Sequence, residues 1–144
     1  MPLQDWNLKA TFDAAYSIGQ AFVKFLRKER PKVVVGRDNR LSSPILHQSL
    51  IKGITEAGAD VIDIGLSTTP MFYFAVAHYG YDGGVIVTAS HNPSQYNGFK
   101  MVREKAIPIS EETGLKEIKN LTRSNPVKLK GRVVKKEIVK DYID

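Results

Sequence analysis

Three stretches decide the fold: Lys32-Val33-Val34-Val35-Gly36, Ser43-Pro44-Ile45-Leu46-His47-Gln48-Ser49-Leu50, and Asp60-Val61-Ile62-Asp63-Ile64-Gly65. The first and last are short β-branched runs, the pattern of strands covered on both faces. Between them, Ser43-Pro44 supplies an N-cap and a first-turn proline. Leu46, Leu50, Ile54 and Ala57 then recur at helical spacing, and Gly58 suits the C-terminal cap. A strand, a helix and a second strand in this order form a parallel pair with a right-handed crossover.

The same alternation extends in both directions. Upstream, Ala14, Ala15, Ile18, Ala21, Phe22, Phe25 and Leu26 predict an amphipathic helix that Pro31 brings to an end. Downstream, Thr69-Pro70 opens a helix closing at Gly80. Its core, Met71-Phe72-Tyr73-Phe74-Ala75-Val76-Ala77, is apolar on nearly every side, which predicts heavy burial. Gly84-Val85-Ile86-Val87-Thr88 reads as a third strand and Phe99-Lys100-Met101-Val102 as a short fourth. Ser110-Glu111-Glu112 begins a further helix with acids at its positive end and Leu115, Ile118 and Leu121 inward. The expected fold is a three-layer α/β/α sandwich on a mostly parallel four-stranded sheet with one antiparallel strand. Residues 1–124 make up that domain, and residues 125–144, from Asn125-Pro126 onward, read as a basic connecting tail.

Composition narrows the class. Among 144 residues, 42% are hydrophobic and 25% charged, so the chain can bury a core and is not a disordered segment. With 0 cysteines, disulfides, zinc ribbons and thiol nucleophiles are excluded. The net charge of +6 invites a nucleic-acid reading. However, beyond Lys100 the lysines are scattered and Tyr142 is the one aromatic, so no platform for stacking bases exists. No apolar run reaches membrane-spanning length and Met1-Pro2-Leu3-Gln4-Asp5 lacks the order of a signal peptide. The expectation is a cytoplasmic protein that binds neither nucleic acid nor membrane.

Parallel strands place the loops that follow them at one carboxyl edge, where open α/β sheets bind ligands. Three loops belong there: Gly36-Arg37-Asp38-Asn39-Arg40, Gly65-Leu66-Ser67-Thr68-Thr69-Pro70, and Thr88-Ala89-Ser90-His91-Asn92-Pro93. The third returns through Asn97-Gly98 to Lys100. Ser90 is a candidate nucleophile or phosphoryl carrier, His91 a proton shuttle, and Lys100 a cation or general acid/base. Arg37 and Arg40 suit phosphate oxygens, and Asp38 can orient one of them or Lys100. Simple turn chemistry accounts equally for Ser-His-Asn-Pro, and a local ion pair for Arg37 and Asp38. Helix capping accounts for Ser67-Thr68-Thr69. No Gly-rich dinucleotide fingerprint or Walker loop is present, and His47 and His78 lack metal-ligand spacing. Asp60 and Asp63 face opposite sides of their strand and cannot form a metal pair.

The segment from Val85 to Lys100, with Thr88-Ala89-Ser90-His91-Asn92-Pro93 and Asn97-Gly98-Phe99-Lys100, closely resembles the phosphoserine loop of the α-D-phosphohexomutases. The resemblance extends to Gly36-Arg37-Asp38-Asn39-Arg40-Leu41-Ser42-Ser43-Pro44, Asp63-Ile64-Gly65 and Thr69-Pro70. It is strongest to the phosphomannomutase/phosphoglucomutase branch; phosphoglucosamine mutases more often carry isoleucine where Phe99 stands. The resemblance implies that a phosphorylated Ser90 gives its phosphoryl group to a hexose phosphate. A hexose 1,6-bisphosphate results, turns over and returns the other phosphate. It further implies Mg²⁺ at the Ser90 phosphate, proton transfer by His91 and Lys100, and an environment shaped by Arg37, Asp38, Arg40, Asn92 and Asn97.

The departures matter as well. Members of this family carry an arginine-bearing segment before the first helix, and Met1 to Ala10 offers no equivalent. Their Asp-Gly-Asp-x-Asp-Arg metal loop, sugar-selecting loop and phosphate-clamping loop lie in further domains. The resemblance therefore implies an N-terminal phosphoserine domain, inactive alone as a mutase, that works with the remaining domains of the same enzyme. The alternatives are a stand-alone domain that binds phosphate or sugar phosphate without catalysis, or the corresponding domain of a phosphoglucosamine mutase.

Overall fold

A computed structural model describes residues 8–38, 43–88 and 98–143. Helix α1 (Leu8–Leu26) is followed by β1 (Lys32–Arg37), α2 (Ser43–Glu56), β2 (Asp60–Leu66), α3 (Thr69–His78), β3 (Gly83–Val87) and β4 (Phe99–Arg103). Then come α4 (Lys116–Leu121), β5 (Val133–Lys135) and α5 (Val139–Ile143). The sheet has the order β4-β3-β1-β2-β5. β1 runs parallel to both β2 and β3, β2 runs parallel to β5, and β4 alone is antiparallel, against β3.

Alternation along the strands builds two cores. Val33, Val35, Val61, Val85 and Val87 face α1, α2 and α4, where Ala15, Phe22, Leu50, Ile54 and Ile118 are buried. Val34, Ile62, Ile64 and Ile86 face α3 and the Ile138 side chain, against Phe72, Ala75 and Val76. This is the expected three-layer sandwich. Each large side chain removed from water in it contributes about 1.5–3 kcal/mol. The flat start of β3 makes room for the bulkiest of them. A Cβ at Gly83 would come within 3.1 Å of the Phe22 ring, and one at Gly84 within 2.7 Å of the Phe72 ring on the other face.

Three differences from the sequence reading have clear physical causes. The sheet has five strands rather than four, because the basic segment after residue 125 packs onto the body. Gln20, 3% exposed, holds Val127 at both backbone groups: its Nε2 donates to the Val127 carbonyl at 2.8 Å and its Oε1 accepts from the Val127 N–H at 2.7 Å. Leu129 and Gly131 then donate to the Glu56 and Thr55 carbonyls at the end of α2, and β5 adds to the sheet. Val133 and Val134 remain about half exposed, so no burial pattern marks β5 in the sequence.

Helix α3 is also less buried than its composition suggests. Only Phe72, Ala75 and Val76 are buried, since the outer face is covered in part by α5. There Phe74 stacks on His78 with ring centroids 4.6 Å apart and meets the Tyr142 ring edge-on at 5.3 Å. Tyr79 donates to the Asp141 carboxylate from the same corner. Finally, the helix expected from Ser110 begins with a separate turn, Glu111–Leu115. Ser110 and Thr113 form a reciprocal capping box there, and Gly114 at φ 152° breaks the backbone before α4. Ile118 is buried as expected, and Leu115 and Leu121 pack at the margin of the core.

Candidate active site at the carboxyl edge of the sheet

β1, β2 and β3 end together. Arg37 pairs with Leu66 on one side and with Val87 on the other. Beyond the strands, three backbone bonds lace the edge. Asp38 N–H donates to the Val87 carbonyl at 2.8 Å, Ser67 N–H to the Arg37 carbonyl at 2.9 Å, and Thr88 N–H to the Gly98 carbonyl at 2.9 Å. The last bond brings together the two described ends of the segment that carries Ser90. β4 is antiparallel, so it starts at this edge, with Phe99 opposite Val87 and Lys100 opposite Ile86.

Arg37 and Asp38 at the end of β1 and Lys100 at the start of β4 therefore flank the end of β3, which lies between the two strands. Arg37 is half-buried, and its Nη1 donates to the Asp38 carbonyl at 3.3 Å. Asp38 is half-buried and Lys100 is exposed. Alternation puts Lys100 on the face of Ile86 and Val102, the α3 side, while Arg37 projects toward the α1/α2 side. Of the remaining site candidates, Arg40, Ser90, His91, Asn92 and Asn97 lie outside the described residues; α2 itself begins at Ser43, one position earlier than the sequence reading placed it.

A buried ionisable pair stands next to this edge. His47, in the first turns of α2, places Nε2 2.9 Å from Asp63 Oδ1, and the side chains are 8% and 14% exposed. The same carboxylate oxygen accepts the Gly65 N–H at 2.9 Å. Burial pushes the Asp63 carboxyl up, but the His47 ring, the Gly65 N–H and the Lys135 charge outweigh it and hold the group below the ordinary aspartate value. His47, which lacks metal-ligand spacing in the sequence, ties the start of α2 to the end of β2. No local spacing announces a contact between residues on a helix and a strand whose register is set by tertiary packing. His78 is exposed and stacks on Phe74. Asp60 turns the other way, to Arg30 and the Arg132 N–H.

The second loop divides its hydroxyls. Thr68 is the N-cap of α3, its Oγ1 accepting the Met71 N–H at 3.2 Å. Among the described residues, no group of three or more His, Asp or Glu side chains is arranged to hold a metal ion. No described helix is long and apolar enough to cross a membrane.

Comparison with known proteins gives a consistent result. Residues 5–127 match the family model described as phosphoglucomutase/phosphomannomutase, alpha/beta/alpha domain I. A phosphomannomutase of Klebsiella pneumoniae is 49% identical over 137 residues, which cover 92% of this chain and 86% of that protein. A phosphomannomutase of Escherichia coli is likewise 49% identical over 137 residues, but there the match covers 30% of the relative. Among solved structures, a phosphoglucomutase/phosphomannomutase family protein of Burkholderia thailandensis superposes with a TM-score of 0.73 at 35% identity, covering 92% of this chain and 31% of that one. A putative phosphomannomutase of Thermus thermophilus gives 0.77 at 30% identity, covering 91% and 30%. The chain thus spans about a third of the length of these last three proteins.

Proposed function

The chain belongs to the phosphoglucomutase/phosphomannomutase family, as its α/β/α domain I, and we propose on that premise that Ser90 is the phosphoryl carrier of a hexose-phosphate mutase. The observation that carries this reading is the closure at the sheet edge. The segment bearing Ser90 leaves β3 at Thr88 and rejoins at Gly98, 2.9 Å away, between the Arg37–Asp38 end of β1 and the Lys100 end of β4. A serine delivered there is flanked by cationic side chains on either side of the sheet.

In the proposed cycle, the Ser90 Oγ–P bond breaks as a bond forms from phosphorus to the free 1- or 6-hydroxyl of a hexose phosphate. The hydroxyl proton passes to a base, His91 or Lys100, and Ser90 recovers a proton at Oγ. The hexose 1,6-bisphosphate turns over and the second phosphate returns to Ser90 by the reverse steps. The spread of charge over three phosphoryl oxygens calls for positioning and electrostatic stabilisation above all. Arg37 and Arg40 supply cations, and Asp38, Asn92 and Asn97 orient the groups around them.

Mg²⁺ is the cation this reading expects, and it would neutralise phosphoryl charge when bound through the Ser90 phosphate. The described residues do not make a metal site on their own. The other donors are assigned to aspartates in further domains, and no step is derived through the ion. On this account residues 125–144 lead toward those domains, the chain alone does not turn over as a mutase, and the enzyme works in the cytoplasm.

The test is an assay of hexose 1-phosphate to 6-phosphate conversion by the native polypeptide that carries this domain. With Mg²⁺ and a bisphosphate primer, turnover is expected, and Ser90→Ala is expected to abolish it. Unchanged turnover in Ser90→Ala would remove the phosphoserine assignment.

A further inference from the structure

Thr68 caps α3, and Ser67 beside it takes no part in that cap. The Ser67 Oγ finds no hydrogen-bond partner among the described residues, although the residue is only 9% exposed. A buried hydroxyl left unpaired is costly, which makes such a group worth accounting for. The backbone leaves it little freedom. Ser67 N–H is held by the Arg37 carbonyl at 2.9 Å, and the neighbouring Thr68 is committed to capping α3.

Its surroundings say what it can bind. A Cβ at Gly36 would lie 2.8 Å from Ser67 Oγ, so the hydroxyl occupies the space a side chain at that position would take. Gly36 pairs with Ile86, and Ile86 with Lys100. The three form one row across the sheet, and the Ile64 and Ile86 contacts put that row on the α3 face. Ser67 and Lys100 thus stand on the same face, two interstrand spacings or roughly 10 Å apart. The carboxyl end of β3 lies between them. Helix α3, which starts two residues after Ser67, turns its positive end toward the same place. A hydroxyl donor, a helix N-terminus and a lysine around one strand end have the chemistry of a phosphate site.

We propose that Ser67 is a phosphate-positioning residue, whose hydroxyl donates a hydrogen bond to an oxygen of the phosphate group held at the end of β3. The inference rests on the phosphoryl-transfer reading for its occupant and adds a residue to that site. The phosphate has two possible sources, the group on Ser90 or the free end of a sugar phosphate, and the chemistry of the contact is the same. Because the hydroxyl has no partner among the described residues, its removal is expected to weaken phosphate binding without weakening the fold.

The experiment is an NMR titration of the 144-residue chain with inorganic phosphate, following the Gly36 and Ser67 amides, alongside thermal melting. Wild-type amides shift and saturate. Ser67→Ala binds phosphate about tenfold more weakly, the effect of losing a hydrogen bond to a charged group, yet melts no lower than wild type. Equal affinity in Ser67→Ala overturns the inference, as does a lowered melting temperature with unchanged binding, or silence of both amides in the wild type. Phosphorylating Ser90 of the native polypeptide with hexose 1,6-bisphosphate and removing the sugar separates the sources: a Ser67 amide shifted by that step alone assigns the contact to the Ser90 group, and one that shifts only when phosphate is added assigns it to free phosphate. If Ser90 proves not to carry phosphate while Ser67→Ala still weakens binding, the phosphoserine reading fails and this inference stands. If Ser90 is phosphorylated and Ser67→Ala matches wild type, only the inference fails.

Discussion

Asp38 donates its backbone N–H to the carbonyl of Val87 at 2.8 Å, one residue past the last paired position of β1. This bond carries the parallel ladder beyond the strand and fixes where β3 releases the chain toward Ser90. Arg37 and Lys100 then sit on either side of the departure point, placed by the registers Arg37–Val87 and Lys100–Ile86. The geometry of the candidate site is therefore a property of the sheet.

Lys100 is exposed on an edge strand and supports little of the core. Lys100→Ala in the native polypeptide should lower mutase turnover by about 10²–10⁴, the range of general acid–base catalysis. Its stability should change by no more than about 0.5 kcal/mol, as for other surface sites. Steady-state rates with parallel thermal melts measure both. A loss of turnover below tenfold would remove Lys100 from proton transfer.

Gln20 satisfies two backbone groups of Val127 and one of Gly53, the last at 3.2 Å. Gln20→Leu leaves those groups buried without partners, at a cost of about 1–3 kcal/mol. Limited proteolysis should show faster cleavage between residues 123 and 131 in the variant, with α1 to β4 still protected. Equal protection would mean that the segment is held by β5 and α5 alone.

Gly84 lies flat against Phe72, and a Cβ there would stand 2.7 Å from the ring and 2.9 Å from the Val34 carbonyl. The carbonyl belongs to the sheet and cannot move aside. Gly84→Val should destabilise the fold by about 1–3 kcal/mol, read from chemical denaturation, the usual effect of overpacking. A neutral outcome would contradict the tight packing of α3 on β3.

Asp63 carries a pH signature of definite sign. Its folded-state carboxyl titrates below the ordinary value of about 3.9, held down by His47, the Gly65 N–H and Lys135 against the effect of burial. The stability it contributes is thus fully present above pH 4 or so and is lost as pH falls through the folded value. Asp63→Asn should flatten this part of the acid-unfolding curve. An unaltered dependence below about pH 4 would show that Asp60, Asp82 and Glu56, also held low, carry it instead.

How much of this was legible in the sequence depends on the range of the interactions. Val33-Val34-Val35 and Val85-Ile86-Val87 declared themselves because central strands are apolar on both faces, and the helix over 43–56 because its apolar positions repeat locally. β5 did not, since Val133 and Val134 are exposed and its partner Val61 is far away in the chain. The outer face of α3 was misread as buried because composition cannot tell a core from an aromatic surface partly shielded by α5. At the site, the alternation of strands and helices brings the end of β1, with Arg37 and Asp38, to the carboxyl edge, and the antiparallel β4 starts there with Phe99 and Lys100. The His47–Asp63 contact needed the packing of α2 on β2, and the separate behaviour of Ser67 and Thr68 needed the observed cap. Ser90, His91, Asn92, Asn97 and Arg40 are assigned from the sequence motif.

The most direct test of the central claim is phosphosite mapping by mass spectrometry. The native polypeptide carrying this domain would be treated with hexose 1,6-bisphosphate and Mg²⁺, digested, and its phosphopeptides sequenced. The account predicts one dominant phosphate on Ser90, absent from Ser90→Ala. A phosphate on another residue, or an unmodified Ser90 in a preparation that is turning over, would contradict it.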